Sequence, residues 1–198
     1  MSEQATISGN GQKYFLGSYS DFLPIQEVQT WIVDPPYNIG YNYKSKFNDK
    51  MSDTEYSQTH KEFLELAYDS TNDGGSFFLV NYPEIMANLF QAIKETRWDF
   101  HQWMTWVYPS NIGMSKQKFT RASRTILWLS KGKPRVNIQA VTQPYRNPKD
   151  KRILGQIANG KKGTNLYDWW DINLCKNVSK EKNSYVNQIP YELLRRCI

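Results

Sequence analysis

The run Asp34-Pro35-Pro36-Tyr37 places three chemically useful groups within four residues. The Asp34 carboxylate and the Pro35 carbonyl accept hydrogen bonds, and an exocyclic amine presents hydrogens that need acceptors. A proline carbonyl followed by a second proline has little freedom, so this acceptor is preorganised. Tyr37 offers a flat face on which a base drawn from a duplex can stack. Two accepted hydrogen bonds raise electron density on the amine nitrogen and offset its positive charge as it attacks a methyl donor, so the carboxylate need not be a strong base. The plain alternative is a surface turn. A surface turn has no use for the apolar lead-in Trp31-Ile32-Val33 or for two consecutive prolines.

A second feature is charge. The chain has 198 residues, 25 Lys+Arg and 19 Asp+Glu, for a net charge of +6. Between Lys116 and Lys162 there are 13 basic residues and one acid, Asp150, which leaves the rest of the chain with a net charge of −6. A uniformly basic surface is excluded, and a basic segment set in an acidic body is implied. Lys116, Lys118, Arg121 and Arg124, then Lys133, Arg135 and Arg146, alternate with Phe119, Ile138, Tyr145 and Asn147. That mixture suits phosphate contact with local contact to base edges; Asn137, Gln139, Gln143 and Asn147 are of types that read adenine edges. A lysine-rich solvated face is the simpler reading. Two cysteines, Cys175 and Cys197, and two distant histidines, His60 and His101, provide no metal-ligand spacing. No stretch resembles a signal core or a membrane span, so a reducing, cytoplasmic setting is expected.

The elements that must position these groups can be read from periodicity. Met1 to Gln12 is polar and reads as a loose start. Trp31-Ile32-Val33 is too short for a helix and reads as a buried strand emptying into the proline loop. Lys44–Met51 is polar and reads as a loop. Ser52-Asp53-Thr54-Glu55 has capping-box spacing, and the helical period after it ends at Asn72-Asp73-Gly74-Gly75, expected to turn the chain. Strands are expected over Ser76–Val80, Phe100–Val107 and Thr125–Leu129, with a helix over Pro83–Arg97. The alternation argues for an α/β fold with a largely parallel sheet. Beyond Pro134 the pattern reads as a small irregular basic insertion, with Tyr167-Asp168-Trp169-Trp170-Asp171 as an aromatic–acidic knot. A last helix starts near Pro190.

Trp31 to Gly40 resembles the catalytic motif of amino-group DNA methyltransferases, which act on adenine N6 or cytosine N4 with S-adenosyl-L-methionine. The resemblance continues through Phe47-Asn48-Asp49 and Tyr56, Gly74 to Val80, Trp106 to Ser110, Arg124 to Gly132, and Asn187 to Ile198, about three quarters of the chain. The order of these segments is similar to the family's beta arrangement. It implies a partial Rossmann-like methyltransferase sheet in three layers, with residues 1–132 as the catalytic part, 133–183 as a target-recognition insertion and 184–198 as the start of a cofactor-binding segment. It also implies Asp34, Pro35, Pro36 and Tyr37 as catalytic residues, and Asp34, Gln188 and Pro190 beside the cofactor. Tyr37, Asn38, Trp106 and the basic residues named above would meet double-stranded DNA. Asp at position 34 leans toward adenine N6. Asp49 would shape the loop beside the site.

Three departures stand out. Arg124 and Ile189 occupy positions where the family usually has an acidic residue and a lysine, and no Gly-rich loop follows a strand. The chain therefore reads as the catalytic and target-recognition portion of an enzyme. The missing half, a second chain or a homodimer partner would complete the sheet, whose Asp34 strand would otherwise be an edge. Cytosine N4 methylation, a non-catalytic DNA-binding subunit of a restriction-modification complex, and an RNA substrate are the alternatives.

Overall fold

The computed structural model describes residues 7–9, 12–14, 17–25, 27–43, 49–109, 113, 116–177, 179–183, 185 and 187–198. The expectations for residues 1–6, 44–48 and 110 lie outside the described residues. The elements in chain order are β1 (Ile7–Gly9), β2 (Gln12–Tyr14), β3 (Val28–Val33), α1 (Asp53–Asp69), β4 (Thr71–Asn81), α2 (Pro83–Lys94), β5 (Asp99–Val107), β6 (Ser123–Ser130), β7 (Thr142–Gln143), α3 (Lys151–Ala158), β8 (Thr164–Asn165), β9 (Trp169–Asp171) and α4 (Tyr191–Cys197). No helix among the described residues is long and apolar enough to cross a membrane.

Five strands form the main sheet in the order β3-β4-β6-β5-β9. β3 runs parallel to β4 and β5 parallel to β9, whereas β6 is antiparallel to both its neighbours. The sheet is thus mixed, where a largely parallel one was expected. Parallel neighbours need a crossover connection, which α1 supplies between β3 and β4, while α2 carries the chain from β4 past the position of β6 to β5. The chain goes from β5 to β6 with no helix among the described residues between them, and strands joined in that way pair antiparallel.

The three layers follow from which side chains each strand turns to each face. Phe77, Leu79, Leu127 and Leu129 pack against Leu64 and Ala67 of α1 and Met86, Leu89 and Ile93 of α2. Phe78, Val80, Met104, Trp106 and Ile126 face the other way and are covered by Trp170, Ile172 and, from α4, Leu193 and Cys197. With both faces covered, the central strands read as continuous apolar runs. The capping box forms as expected: Ser52 Oγ accepts from Glu55 N at 3.2 Å, and Glu55 Oε2 accepts from Ser52 N at 3.0 Å.

Beyond the mixed sheet, the structure differs from the sequence reading in five places. Ile7–Gly9, read as part of a loose start, pairs antiparallel with Gln12–Tyr14. Asn72-Asp73-Gly74-Gly75 does not turn the chain; it lies inside β4 as a bulge, because β3 pairs Val28 with Thr71 and then Thr30 with Ser76. Gly74 adopts φ +78°, a left-handed conformation that glycine takes without strain. Its N–H donates to Lys131 O at 2.8 Å, so the bulge keeps its backbone bonds through β6's end. α2 stops at Lys94 rather than Arg97; Arg97 instead pairs with Glu65 and Asp69 of α1, at 2.5 and 2.7 Å. The insertion contains an unexpected short helix, α3, capped by Asp150 Oδ1 at 2.8 Å from Arg152 N. The aromatic knot supplies β9, which completes the sheet beside β5. β3 is the opposite edge, and its side chains are mostly half-buried while those of β4 are mostly buried.

Candidate active site

β3 ends at Val33, beside Leu79 near the carboxyl end of β4, so Asp34 emerges where open α/β sheets bind ligands. Asp34, Pro35, Pro36 and Tyr37 line a pocket of about 220 Å³ with Ile39, Tyr41, Tyr43, Tyr82, Arg124, Tyr185 and Asn187. Tyr82 follows the last residue of β4, Arg124 lies near the start of β6, and Tyr185 and Asn187 precede α4. The site therefore draws on four separate segments.

The proline loop is fixed from below. The Tyr56 hydroxyl donates to Pro36 O at 2.6 Å and accepts from Asn81 Nδ2 at 3.0 Å. Asn81 Oδ1 in turn accepts from Tyr82 N at 2.8 Å. Helix α1 and strand β4 thus jointly set the second proline. No donor among the described residues takes the Pro35 carbonyl. The chain after Tyr37 folds around Asp49, which is 5% exposed. Its carboxylate accepts from the backbone N–H of Asn38 at 2.9 Å, Ile39 at 3.3 Å and Tyr41 at 2.8 Å. Asn38 has φ +57°, and its side-chain amide bonds Met51 in both directions, at 3.0 and 2.6 Å. Asn38 therefore holds the loop with both ends of its amide.

Tyr37 is buried and donates its hydroxyl to Asp34 Oδ1. Its ring packs edge-on against Tyr82, with centroids 4.8 Å apart. The Arg124 guanidinium stands 5.2 Å from the Tyr37 ring centre, 5.1 Å from Trp106, and 5.8 Å from both Tyr82 and Tyr108. Four rings thus surround one cation, a favourable use of their negative faces. Arg124 Nε is buried without a hydrogen-bond partner among the described residues.

The electrostatics follow from this packing. Burial raises the Asp34 carboxyl above its ordinary range, opposed by the Tyr37 hydrogen bond and the Arg124 charge. Burial, then the neighbouring carboxylate, push the Tyr37 phenol upward, so it stays a donor. Burial alone would depress the Arg124 guanidinium, but Tyr37 and Asp34 outweigh it and hold its affinity for the proton above the ordinary value. The site carries one half-buried carboxylate with a phenol donor on it and a caged cation nearby.

The DNA methylase family model, that of the N6 and N4 methyltransferases, matches residues 28–198. The chain belongs to this family. Among curated relatives of this DNA methylase chain, the type II methyltransferase M1.MboII of Moraxella bovis is 28% identical over 202 residues, covering 91% of this chain and 74% of that protein. M.BamHI of Bacillus amyloliquefaciens is 27% identical, covering 89% of this chain and 43% of its own length. Among solved structures, the cytosine-N4-specific PvuII DNA methyltransferase superposes with a TM-score of 0.57 at 13% identity, over 84% of this chain and 58% of that one. The M1.HpyAVI–SAM complex gives 0.51, also at 13% identity, over 89% and 66%. At these identities the superpositions show a shared Rossmann-like methyltransferase fold. The DNA methylase chain spans about half to three quarters of the proteins it matches.

The fold brings some of the sequence candidates together and separates others. Asp34, Pro35, Pro36, Tyr37 and Arg124 meet in one pocket. Trp106 is fully buried behind Arg124 and donates Nε1–H to Ile172 O at 2.7 Å, so it supports the cage and does not face the pocket. Gln188 bonds within its own loop, to Asn183 N and Glu181 O, each at 2.8 Å, and Pro190 caps α4. Their neighbours Tyr185 and Asn187 reach the pocket instead. Arg121 lies 3.9 Å over the Tyr82 ring and pairs with Glu84, with Lys118 contributing charge near that same carboxylate. Lys116 is exposed on the same segment. Lys133 and Arg135 lie elsewhere: Arg135 N donates to Gly74 O at 2.9 Å. Gly74 is some six residues of β4 from the level of Asp34, or about 20 Å. Arg146 lies over Tyr167 at 5.9 Å, within the insertion. Sequence reading missed Tyr41, Tyr43, Tyr82, Tyr185 and Asn187. Of these, Tyr82 carries a usable signal, since it directly follows an apolar strand.

Proposed function

We propose that this chain is the catalytic and target-recognition part of a site-specific DNA methyltransferase that transfers a methyl group from S-adenosyl-L-methionine to the N6 of a flipped adenine. The observation that carries the reading is the pair of acceptors on the pocket lining, the Asp34 carboxylate, whose Oδ1 accepts from Tyr37, and the Pro35 carbonyl, which takes no donor among the described residues. The two would accept the hydrogens of an exocyclic amine and hold its lone pair toward the donor. Tyr37 would stack on the base. Its ring lies against Tyr82 and Arg124, so entry of a base requires Tyr37 to turn outward or Arg124 to move off it.

The residues present suit the cofactor's reactive end. One carboxylate and the rings of Tyr41, Tyr43, Tyr82 and Tyr185 line the pocket and suit a sulfonium cation, whereas the Arg124 guanidinium on the same lining repels one, so the cation would sit on the Asp34 and tyrosine side. When bound, S-adenosyl-L-methionine supplies the electrophilic methyl. Asp34 would face the cation as well as the amine, while Tyr185 and Asn187 form the wall from the segment before α4. Residues 1–132 would then be the catalytic part, 133–183 the insertion that recognises the target duplex, and 184–198 the start of the cofactor-binding segment. A further segment, a second chain or a second copy would pair with the β3 edge. The setting would be the cytoplasm.

Cytosine N4 is the second reading, favoured by the superposition on a cytosine-N4-specific enzyme. Transfer of radiolabelled methyl to unmethylated DNA, followed by digestion and separation of the nucleosides, tells the two apart. Label on N6-methyl-2′-deoxyadenosine is expected, and label on N4-methyl-2′-deoxycytidine would replace this assignment by the second. Methylation surviving Asp34→Ala would remove the mechanism for either base.

A further inference from the structure

One aromatic side chain, close in the chain to a wall of the pocket, packs into neither hydrophobic cluster and pairs with no other ring among the described residues. Phe119 is 103% exposed, more than any other large apolar side chain among the described residues. It sits in the return from β5 to β6, between Lys116 and Lys118 on one side and Arg121 on the other, all of them exposed. A polyanion is the partner such a frame favours; an apolar protein surface would want further apolar neighbours, and Phe119 is followed by Thr120 and Arg121.

The segment is braced at several points. A Cβ placed on Gly113 would lie 1.4 Å from Thr120 Oγ1, so only a glycine lets these two strands of the return touch. Tyr108 donates its N–H to Ala122 O at 2.8 Å and its hydroxyl to Ser123 O at 3.0 Å. Arg121 is held by Tyr82 and Glu84, and Tyr82 is a wall of the pocket that contains Asp34 and Tyr37. Phe119 is two residues from Arg121, at most about 7 Å along the backbone. A fully exposed ring on a braced, basic segment thus stands beside the mouth of the candidate site.

We propose that Phe119 is the wedge that enters the base stack where the target nucleotide leaves it, with Lys116 and Lys118 on the flanking phosphates. Apolar side chains inserted between base steps hold duplexes open in this way, and filling the gap keeps the extruded base from returning. The proposal rests on the methyltransferase reading of the pocket. It adds a positioning residue that never touches the reacting atoms.

The test compares Phe119→Ala and Phe119→Trp with the unaltered protein in methyl transfer from radiolabelled S-adenosyl-L-methionine to unmethylated phage DNA, native and heat-denatured. In denatured DNA no stacked pair has to be opened. The expected result is a loss of about tenfold or more for Phe119→Ala on native DNA with a change within about twofold on denatured DNA. Phe119→Trp should keep native activity within about threefold, since a planar ring is retained. Equal losses on both substrates, or no loss on native DNA, would overturn the wedge. All variants are tested in the enzyme completed by the segment or chain that pairs with the β3 edge. If that completed, unaltered enzyme transfers no methyl to either substrate, the reading of the pocket fails and the wedge fails with it, whereas transfer that Phe119→Ala leaves unchanged sinks the wedge alone.

Discussion

Replacing Arg124 by Met tests whether the caged cation keeps Asp34 ionised. No ion pair within 4 Å joins the two among the described residues, which sets the near limit. The far limit comes from the 5.2 Å between the guanidinium and the Tyr37 ring centre, extended along the phenol to its hydrogen bond with Asp34, and is roughly 10 Å. At an effective dielectric of about 20, that far limit gives an attraction of about 1.7 kcal/mol. Such a term changes the ionised fraction on the acid limb by more than about tenfold. The sign is fixed: burial already raises the Asp34 carboxyl, and loss of the nearby cation raises it further. Protonation then begins at higher pH. Methyl transfer by Arg124→Met should fall by about tenfold at the acidic end of the profile relative to the alkaline end, where Asp34 is ionised in both proteins. Met approximates the length of the stem, and Arg124→Lys, which keeps the charge, should keep the profile's shape. The assay is initial rate against pH on unmethylated DNA. A loss of the same size at every pH would show that Arg124 acts by packing or DNA contact, and the electrostatic argument would be wrong.

Three further outcomes follow from the scaffold. Tyr56→Phe removes the donor to Pro36 O and the acceptor for Asn81, and should lower stability by about 1–3 kcal/mol in urea unfolding, with turnover falling more than DNA affinity. Asp49→Ala leaves three loop N–H groups without their acceptor; a loss of about 3 kcal/mol or more is expected, together with faster proteolysis near Gly40, and unchanged unfolding would refute the role given to the carboxylate. His60 is buried, and its pKa is lowered by desolvation, against the hydrogen bond to Tyr56 O. The folded state thus favours the neutral ring, and the stability this confers is full above the unfolded pKa and lost as pH falls below it. Unfolding free energy should fall as pH drops from about 7 to about 5, and His60→Leu should flatten that part of the curve.

Much of the fold could be read locally because each signal came from residues close in the chain. The capping box at Ser52 and Glu55, the apolar run Phe77–Val80 and the helix after Pro83 each declare themselves over a few positions. The misreadings arose where a distant partner decided. Asn-Asp-Gly-Gly has every mark of a turn, yet Lys131 and Arg135 bond Gly74 and draw those residues into a strand. Tyr167 to Asp171 is too short and polar to announce a strand, and becomes one only because β5 offers Thr105–Val107 as a template.

The same division holds for the site. Asp34-Pro35-Pro36-Tyr37, the apolar strand before it and the ordered segments after it were enough to carry the resemblance to the family, and the tetrapeptide suggested the acceptors because those groups are consecutive in the chain. Tertiary structure alone decided what surrounds them. It set Tyr56 under Pro36 and carried Arg124 across the sheet to sit among four rings beside Tyr37, whereas the part of Asp49 in shaping the loop was already an expectation from the sequence. It also split the basic segment, sending Arg124 to the pocket, Arg121 to the Tyr82 ring and Glu84, and Lys133 and Arg135 to the far end of β4. The physical reason is that β6 is antiparallel to β4: its first residues lie beside Asn81 and its last beside Ser76, so a few positions of sequence become the length of a sheet.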